Sequence, residues 1–347
     1  MYVTATGMVC SVGLNAAAAC AAMRAGIANF TELPYHDNQG EPIIGAMVPG
    51  LSSDLKQDEC LIEMLLMAIT DCLKDKQSEP MDKIPLLIGL AEQGRTGGSA
   101  GFATSIIGQV QKKMGIRFHP TLSRVITKGH TSGFEALWLV REIWKTGGIS
   151  SCLVCGVDSY INADSLLWLE QHWRLKTLNN SDGVIPGEAA AAVLLQPEPA
   201  FNKAVKVKIV GLGFGYERAG VFSEDPLLGI GLKDAAQVAL TEAGTEIHEI
   251  AFRLSDVTGE SYGFKEQSLM LSKLLKIRRE CQPLWHYAAS IGDIGAAAGI
   301  CELVITKQAV TKQYAPGSRA LCCTSSVFGE RAVAVIQRLF AKTNVNA

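Results

Sequence analysis

Two stretches of the chain, GHTSGFEALWLVREIW at residues 129–144 and IGDIGAAAGICELVITK at residues 291–307, indicate how it folds. Both begin with glycines and continue with helical periodicity. The first is apolar most of the way round, and a helix without a polar face is normally buried. The second opens with glycines and alanines, whose small side chains allow a neighbouring helix to approach closely. The two stretches therefore predict a pair of buried helices that pack against each other.

The segments around these two helices repeat in the same order. Each half reads as strand, helix, strand, buried helix, and then a pair of apolar strands. In the first half the flanking segments are 3–13, 15–24, 59–73, 84–89, 151–157 and 188–196; in the second they are 205–215, 233–243, 250–259, 319–324 and 331–338. This order predicts a duplicated α/β chain with halves at 1–197 and 204–347, joined by the proline-containing linker 197–204.

The apolar strands indicate how the layers are arranged. Strands as uniformly apolar as 190–195 belong in the centre of sheets that helices cover on both faces. With the two buried helices between the sheets, the sequence predicts a five-layered α-β-α-β-α sandwich.

Composition excludes several classes of function. The chain has 347 residues, 48% of them hydrophobic, and a formal net charge of -2. Its 32 basic and 34 acidic residues are mixed, with no basic run of the kind that binds nucleic acid or a membrane surface. We expect neither a secretory signal nor a membrane span, and no metal or cofactor site. The ten cysteines follow no disulfide or metal-binding spacing, so we expect free thiols in the cytoplasm.

Five motifs, in order along the chain, carry a family resemblance. They are the stretches 6–13 (TGMVCSVG), 129–133 (GHTSG), 156–159 (GVDS), 182–189 (DGVIPGEA) and 328–329 (FG). Together they resemble the β-ketoacyl synthases (3-oxoacyl-ACP synthases), the condensing branch of the thiolase superfamily. The resemblance implies the thiolase fold, with two βαβαβαββ halves, and pairing of two chains across an edge strand of the first half.

The same resemblance implies a condensing site that this chain does not retain. In that family a cysteine thiolate at a helix N-terminus accepts the acyl group, and two further side chains, usually histidines, promote decarboxylation of the extender. Here His130 stands at the cysteine position. Thr258 and Gly292 take the two histidine positions. The catalytic set is therefore degenerate at all three places.

The remaining candidates are residues expected around the same pocket. His130 at a helix N-terminus is expected to be neutral and to fill or hydrogen-bond within the pocket. Asp256, Glu260 and Asp293 are acids near the lost histidine positions, either a general acid–base pair or solvated loop acids. Phe328 is either a gate to the pocket or a core residue.

These observations leave two classes of function. The first is a catalytically impaired ketosynthase-like protein with a binding or scaffolding role. It would be either an accessory protein for effectors and adaptors of type VI secretion or the non-catalytic partner subunit of an active synthase. The second is an atypical acyltransferase or thioesterase acting on acyl-ACP or acyl-CoA. The expected partners are a second chain, as a homodimer or heterodimer, an acyl carrier protein, or a co-encoded effector or adaptor.

Overall fold

The computed structural model describes residues 1–51, 56–75, 80–92, 95, 101–198 and 205–340. Strands and helices alternate through both halves. In the first half they are β1 (Tyr2–Cys10), α1 (Ala16–Arg24), β2 (Thr31–His36), β3 (Pro42–Gly45), α2 (Gln57–Leu73), β4 (Leu86–Leu90), α3 (Phe102–Met114), β5 (Arg124–Thr127), α4 (Ser132–Lys145), β6 (Cys152–Ser159), α5 (Ala163–Gln171) and β7 (Glu188–Gln196).

The second half repeats this order with fewer insertions. It comprises β8 (Val205–Tyr216), α6 (Ile230–Glu242), β9 (Phe252–Ser255), α7 (Ser261–Leu274), β10 (Leu284–Trp285), α8 (Ala288–Ile291), α9 (Ala298–Thr311), β11 (Arg319–Ser325) and β12 (Glu330–Phe340). Single 3₁₀ turns, Gly129–Thr131 and Gly295–Ala297, precede α4 and α9. The βαβαβαββ order implied by the family resemblance is present. Periodicity alone missed α3 and β5 in the first half and α7 and β10 in the second.

The strands of the two halves occupy equivalent places in the sheet. The order is β5-β4-β6-β7-β1 in the first half and β10-β9-β11-β12-β8 in the second. The sequence predicts two separate sheets, whereas β1 and β8 join them edge to edge. They meet at one residue pair, Tyr2 with Lys208. Most of the predicted linker 197–204 lies outside the described residues, so the boundaries of the two halves stay a prediction.

Three apolar clusters separate the layers. Residues of α2 and α3 pack on the outer face of the first five strands, and residues of α6 pack on the outer face of the second five. Between the first five strands and the second five lies the largest cluster, to which α4 and α9 both contribute. A Cβ on Gly299 of α9 would lie 3.2 Å from the Phe134 ring of α4, so glycine allows this close crossing. The five-layered sandwich is therefore the observed architecture.

Within the part of the chain that the structure describes, no helix is both long and apolar enough to cross a membrane.

Candidate functional site

The turn between β5 and α4 places His130 inside the protein. The Ser132 hydroxyl lies 3.0 Å from the Leu90 carbonyl oxygen and 3.1 Å from that of Ile126, which fixes the turn to two neighbouring parallel strands. His130, in the 3₁₀ turn just before α4, is only 4% exposed. The site is thus built at the carboxyl ends of β4 and β5, where the ends of parallel strands meet.

Asp293 reaches His130 from the equivalent turn of the second half. Its backbone N–H donates to the Ile185 carbonyl oxygen at 2.8 Å, and its carbonyl oxygen accepts from the Gly187 N–H at 2.9 Å. Its carboxylate Oδ1 lies 2.8 Å from His130 Nε2 and also accepts from the Gly295 N–H at 3.0 Å. The turns that precede the buried helices α4 and α9 are therefore joined by a histidine–carboxylate pair.

A second carboxylate faces the other nitrogen of the same ring. Glu92 Oε1 lies 3.9 Å from His130 Nδ1. Glu92 is also 3.3 Å from Arg95 Nε, and Arg95 pairs with Asp158 as well. The Arg95 guanidinium lies 4.1 Å above the Tyr160 ring, which leaves it enclosed by charge and aromatic surface. His130 therefore belongs to a buried network of charges.

This network keeps the His130 imidazole protonated. Burial by itself would lower the pKa of His130, but the Asp293 and Glu92 carboxylates outweigh burial and raise that pKa well above its ordinary 6.5. Burial would raise the carboxylate pKa values, yet the imidazolium lowers the pKa of Asp293 to about 2, and the imidazolium with Arg95 lowers that of Glu92 to about 2. The expectation of a neutral His130 is wrong, because two carboxylates distant in sequence contribute more than the helix N-terminus.

A small polar cavity of about 60 Å³ opens beside this pair. Five of the pocket residues named from the sequence lie on its wall: His130, Asp256, Thr258, Glu260 and Asp293. Phe328 is not among the lining residues. It is 39% exposed, although its neighbours Ser326 and Val327 do line the cavity.

Gly292, which the resemblance assigns to the second histidine position, has a backbone conformation that favours glycine. Its φ is +68°, and a Cβ there would lie 2.6 Å from the Ile185 carbonyl oxygen. No side chain fits at this position. The residue that faces His130 is Asp293, one position further along the chain.

The other charged groups on the cavity wall are paired. Arg174 forms a bidentate bond with Glu260, at 2.7 and 2.6 Å, and Arg331 pairs with Glu266. The Thr258 hydroxyl lies 3.4 Å from Glu260 Oε2.

Asp256 differs, because it has no arginine partner among the described residues. It accepts from the Ser325 N–H at 2.6 Å, and burial raises its pKa to about 6 despite the nearby His130 charge. The cavity therefore offers one carboxyl whose pKa is raised to about 6.

Three properties limit the chemistry available in this cavity. No cysteine is among its lining residues. The raised pKa of His130 keeps both ring nitrogens protonated, so the ring offers no lone pair to a substrate. In the described ranges, no three or more His, Cys, Asp or Glu side chains are grouped so that they could hold a metal ion.

Sequence reasoning missed several members of the network. Asp158 lies in a motif that the sequence identified, and Glu92 follows the buried strand β4, so position at a strand end could have suggested both. Arg95 and Arg174 come from loops with no recognisable pattern. Only the folded chain brings them to carboxylates 63 and 86 residues away.

Comparison with known proteins identifies the fold. No family model matches the sequence, and no curated protein is similar enough in sequence to match. Solved structures do match. The ishigamide ketosynthase/chain length factor has 17% identity and a TM-score of 0.71, covering 97% of this chain and 98% of its own. A type II polyketide ketosynthase in complex with its acyl-carrier protein has 16% identity, a TM-score of 0.77 and the same two coverages.

A third match is a ketosynthase in complex with its chain length factor from Xenorhabdus doucetiae. It has 16% identity, a TM-score of 0.71 and 97% coverage of both chains. The chain therefore has the thiolase-like fold of ketosynthases and chain length factors.

Proposed function

We propose that this chain is a ketosynthase-like protein that does not condense acyl groups and that acts by binding a partner protein. The observation that carries the proposal is the His130–Asp293 pair at the start of α4. In a condensing enzyme this position must present a thiolate to a thioester. Here it presents an imidazolium that two carboxylates hold in place, so it supplies neither a nucleophile nor a base.

The chemical part of the proposal has a direct test. Purified protein is incubated with acyl- and malonyl-carrier protein or the corresponding coenzyme A thioesters. Intact mass spectrometry then detects any acyl adduct, and chromatography detects turnover. We expect neither. Turnover that disappears in His130→Ala would refute the proposal, because it would show that the ring takes part in chemistry.

We further propose that the partner is a second thiolase-like chain, which pairs along β5. This strand is the outermost strand of the first half, and it presents an edge that another strand can extend. Two of the solved structures are named as a ketosynthase with a chain length factor, which supports a non-catalytic subunit of this kind.

Proline substitutions in β5 test this pairing. Successive N–H groups of a strand point to opposite sides, so of residues 124 and 125 one N–H faces β4 and the other faces the open edge. Proline at the residue whose N–H faces the open edge keeps the hydrogen bonds to β4 and prevents another strand from pairing there. Arg124→Pro and Val125→Pro are therefore both made. The melting temperature identifies the variant that keeps its bonds to β4, because that variant melts nearly like the wild type. Light scattering should show a dimer for the wild type and a monomer for this variant. A wild type that is monomeric and also forms no complex with co-expressed ketosynthases would argue against a thiolase-like partner.

A type VI secretion effector or adaptor is the other partner proposed for the same chain. The test is affinity capture with each co-encoded protein as bait, using wild type and His130→Gln. Stable complexes with an effector or adaptor, and none with a ketosynthase, would support the accessory role. None of the ten cysteines is in a disulfide and eight of them are buried, which fits a location in the reducing cytoplasm.

A second candidate function rests on Asp256. A buried carboxyl with a pKa of about 6, on the wall of a cavity, suits a general base that activates water against a thioester. This thioesterase would lose turnover in Asp256→Asn and keep it in His130→Gln. Absence of thioester hydrolysis by the wild type at any pH between 5 and 9 would eliminate it.

A further inference from the structure

A second, larger cavity lies at the opposite edge of the sheet from β5. It has a volume of about 590 Å³ and lies between α1, the strands β9 and β10, and α9. A neighbouring cavity of about 420 Å³ shares Cys20, Arg24 and Tyr314 with it. None of the residues that line either cavity lines the His130 cavity. A volume of this size falls in the range of small-molecule sites, about 300–1,000 Å³.

The interior of this cavity is apolar and aromatic. The Trp285 ring packs 4.6 Å from Phe252 and 6.2 Å from Tyr314, measured between ring centroids. Leu254 and Tyr287, both nearly fully buried, form part of its wall with Ile305. Such a wall binds an aliphatic or aromatic body through burial of apolar surface.

The charge at this cavity is entirely positive. Arg24 lies at its mouth, with the guanidinium 4.3 Å above the Tyr314 ring, and Lys312 lines the neighbouring cavity. No aspartate or glutamate is among the lining residues of either cavity. In the described part of the chain Arg24 has no carboxylate within ion-pair distance, so its charge is available to a ligand.

We propose that this cavity binds an amphipathic organic anion, with an apolar body against Trp285 and Leu254 and a carboxylate at Arg24. Decanoate represents this class, and decan-1-ol has the same body without the charge. The proposal is independent of the partner-binding role.

The first test is isothermal titration calorimetry with decanoate and decan-1-ol. We expect saturable binding of decanoate at one site and binding of decan-1-ol that is weaker by roughly five-fold, the size of an ion pair near the surface. Arg24→Gln should weaken the binding of decanoate by the same factor and leave the affinity for decan-1-ol unchanged. Arg117→Gln removes the same charge from an exposed loop after α3 and should change neither.

The second test blocks the cavity. Ala289 lines it and is exposed, so Ala289→Phe fills space without entering the core. We expect this variant to melt like the wild type and to lose decanoate binding at least ten-fold. Equal binding of decanoate and decan-1-ol, no decanoate binding, or full binding in both Ala289→Phe and Arg24→Gln would each overturn the proposal. If Ala289→Phe lowers the melting temperature, the proposal is tested by Arg24→Gln alone, through its affinities for decanoate and decan-1-ol.

Discussion

Replacing Asp293 with asparagine should destabilise the protein in a way that depends on pH. Asp293 pairs with His130, and the side chains are buried, with 5% of His130 and 3% of Asp293 exposed. His130 Nε2 lies 2.8 Å from Asp293 Oδ1. Removing one partner of a buried ion pair costs about 3–5 kcal/mol, because the other charge is left uncompensated. Glu92 remains 3.9 Å from the His130 ring and keeps part of the compensation. We therefore expect the low end of this range, about 3 kcal/mol.

The pH dependence follows from the two shifted pKa values. The pKa of His130 is raised above 6.5 in the folded protein, so its contribution to stability is complete below pH 6.5 and is lost as pH rises through the folded pKa. The pKa of Asp293 is lowered from 3.8 to about 2, so its contribution is complete above pH 3.8 and is lost as pH falls through about 2. Both contributions are complete only between pH 3.8 and 6.5.

The assay is urea unfolding of wild type and Asp293→Asn from pH 5 to pH 9. The difference in the free energy of unfolding should be greatest near pH 5–6.5 and should shrink at higher pH, by at most about 1.4 kcal/mol per pH unit. Asp182→Asn is the control. It removes an exposed carboxylate that accepts from the Ser261 N–H and hydroxyl, and it should cost less than about 1 kcal/mol. A difference for Asp293→Asn that stays constant from pH 5 to 9 would show that Asp293 does not control the protonation of His130 in this range.

Three further perturbations test the packing and the charges around the site. Glu266→Gln leaves the buried Arg331 unpaired and should cost about 3–5 kcal/mol in urea unfolding, against less than about 0.5 kcal/mol for Glu142→Gln on the exposed face of α4. Gly295→Ala places a Cβ 2.0 Å from Asp158 Oδ2 at a φ of +49° and should lower the melting temperature, whereas Gly108→Ala, with nothing within 4 Å inside α3, should gain about 0.5–1 kcal/mol. Equal effects of the two glycine variants would contradict the geometry at Gly295. Thiol alkylation of the native protein should label exposed Cys281 first and Cys60 more slowly, and the other eight cysteines only after unfolding. Rapid labelling of Cys155 or Cys301, whose pKa values burial raises, would contradict the packed sheets.

The sequence predicted those parts of the fold that have a clear period. The apolar strands β6 and β7 and the glycine-led helices α4 and α9 are each at least eight residues long, and all were found. The missed strands β5 and β10 have four and two residues. A strand that short shows no alternation, and its place is decided by the neighbouring strand that it pairs with.

At the site, His130, Asp256, Glu260 and Asp293 line one cavity, but the sequence did not reveal their charge state. His130 and Asp293 are 163 residues apart, and the pKa of each depends on the other. The assignment of Gly292 to the second histidine position stays a prediction. That the side chain facing His130 comes from Asp293 depends on the backbone geometry of the turn, which the motif does not reveal.

The charges around His130 predict how a cysteine at the same position would behave. A cysteine at position 130 would lie beside the Asp293 and Glu92 carboxylates. Those carboxylates would raise the pKa of its thiol and suppress the thiolate that condensation needs. The carboxylates in turn would lose the imidazolium that now stabilises them. His130→Cys alone should therefore destabilise the fold and form no acyl adduct, and a reactive thiol should require a change at Asp293 as well. An acyl adduct on the single variant would show that the carboxylates do not control this position.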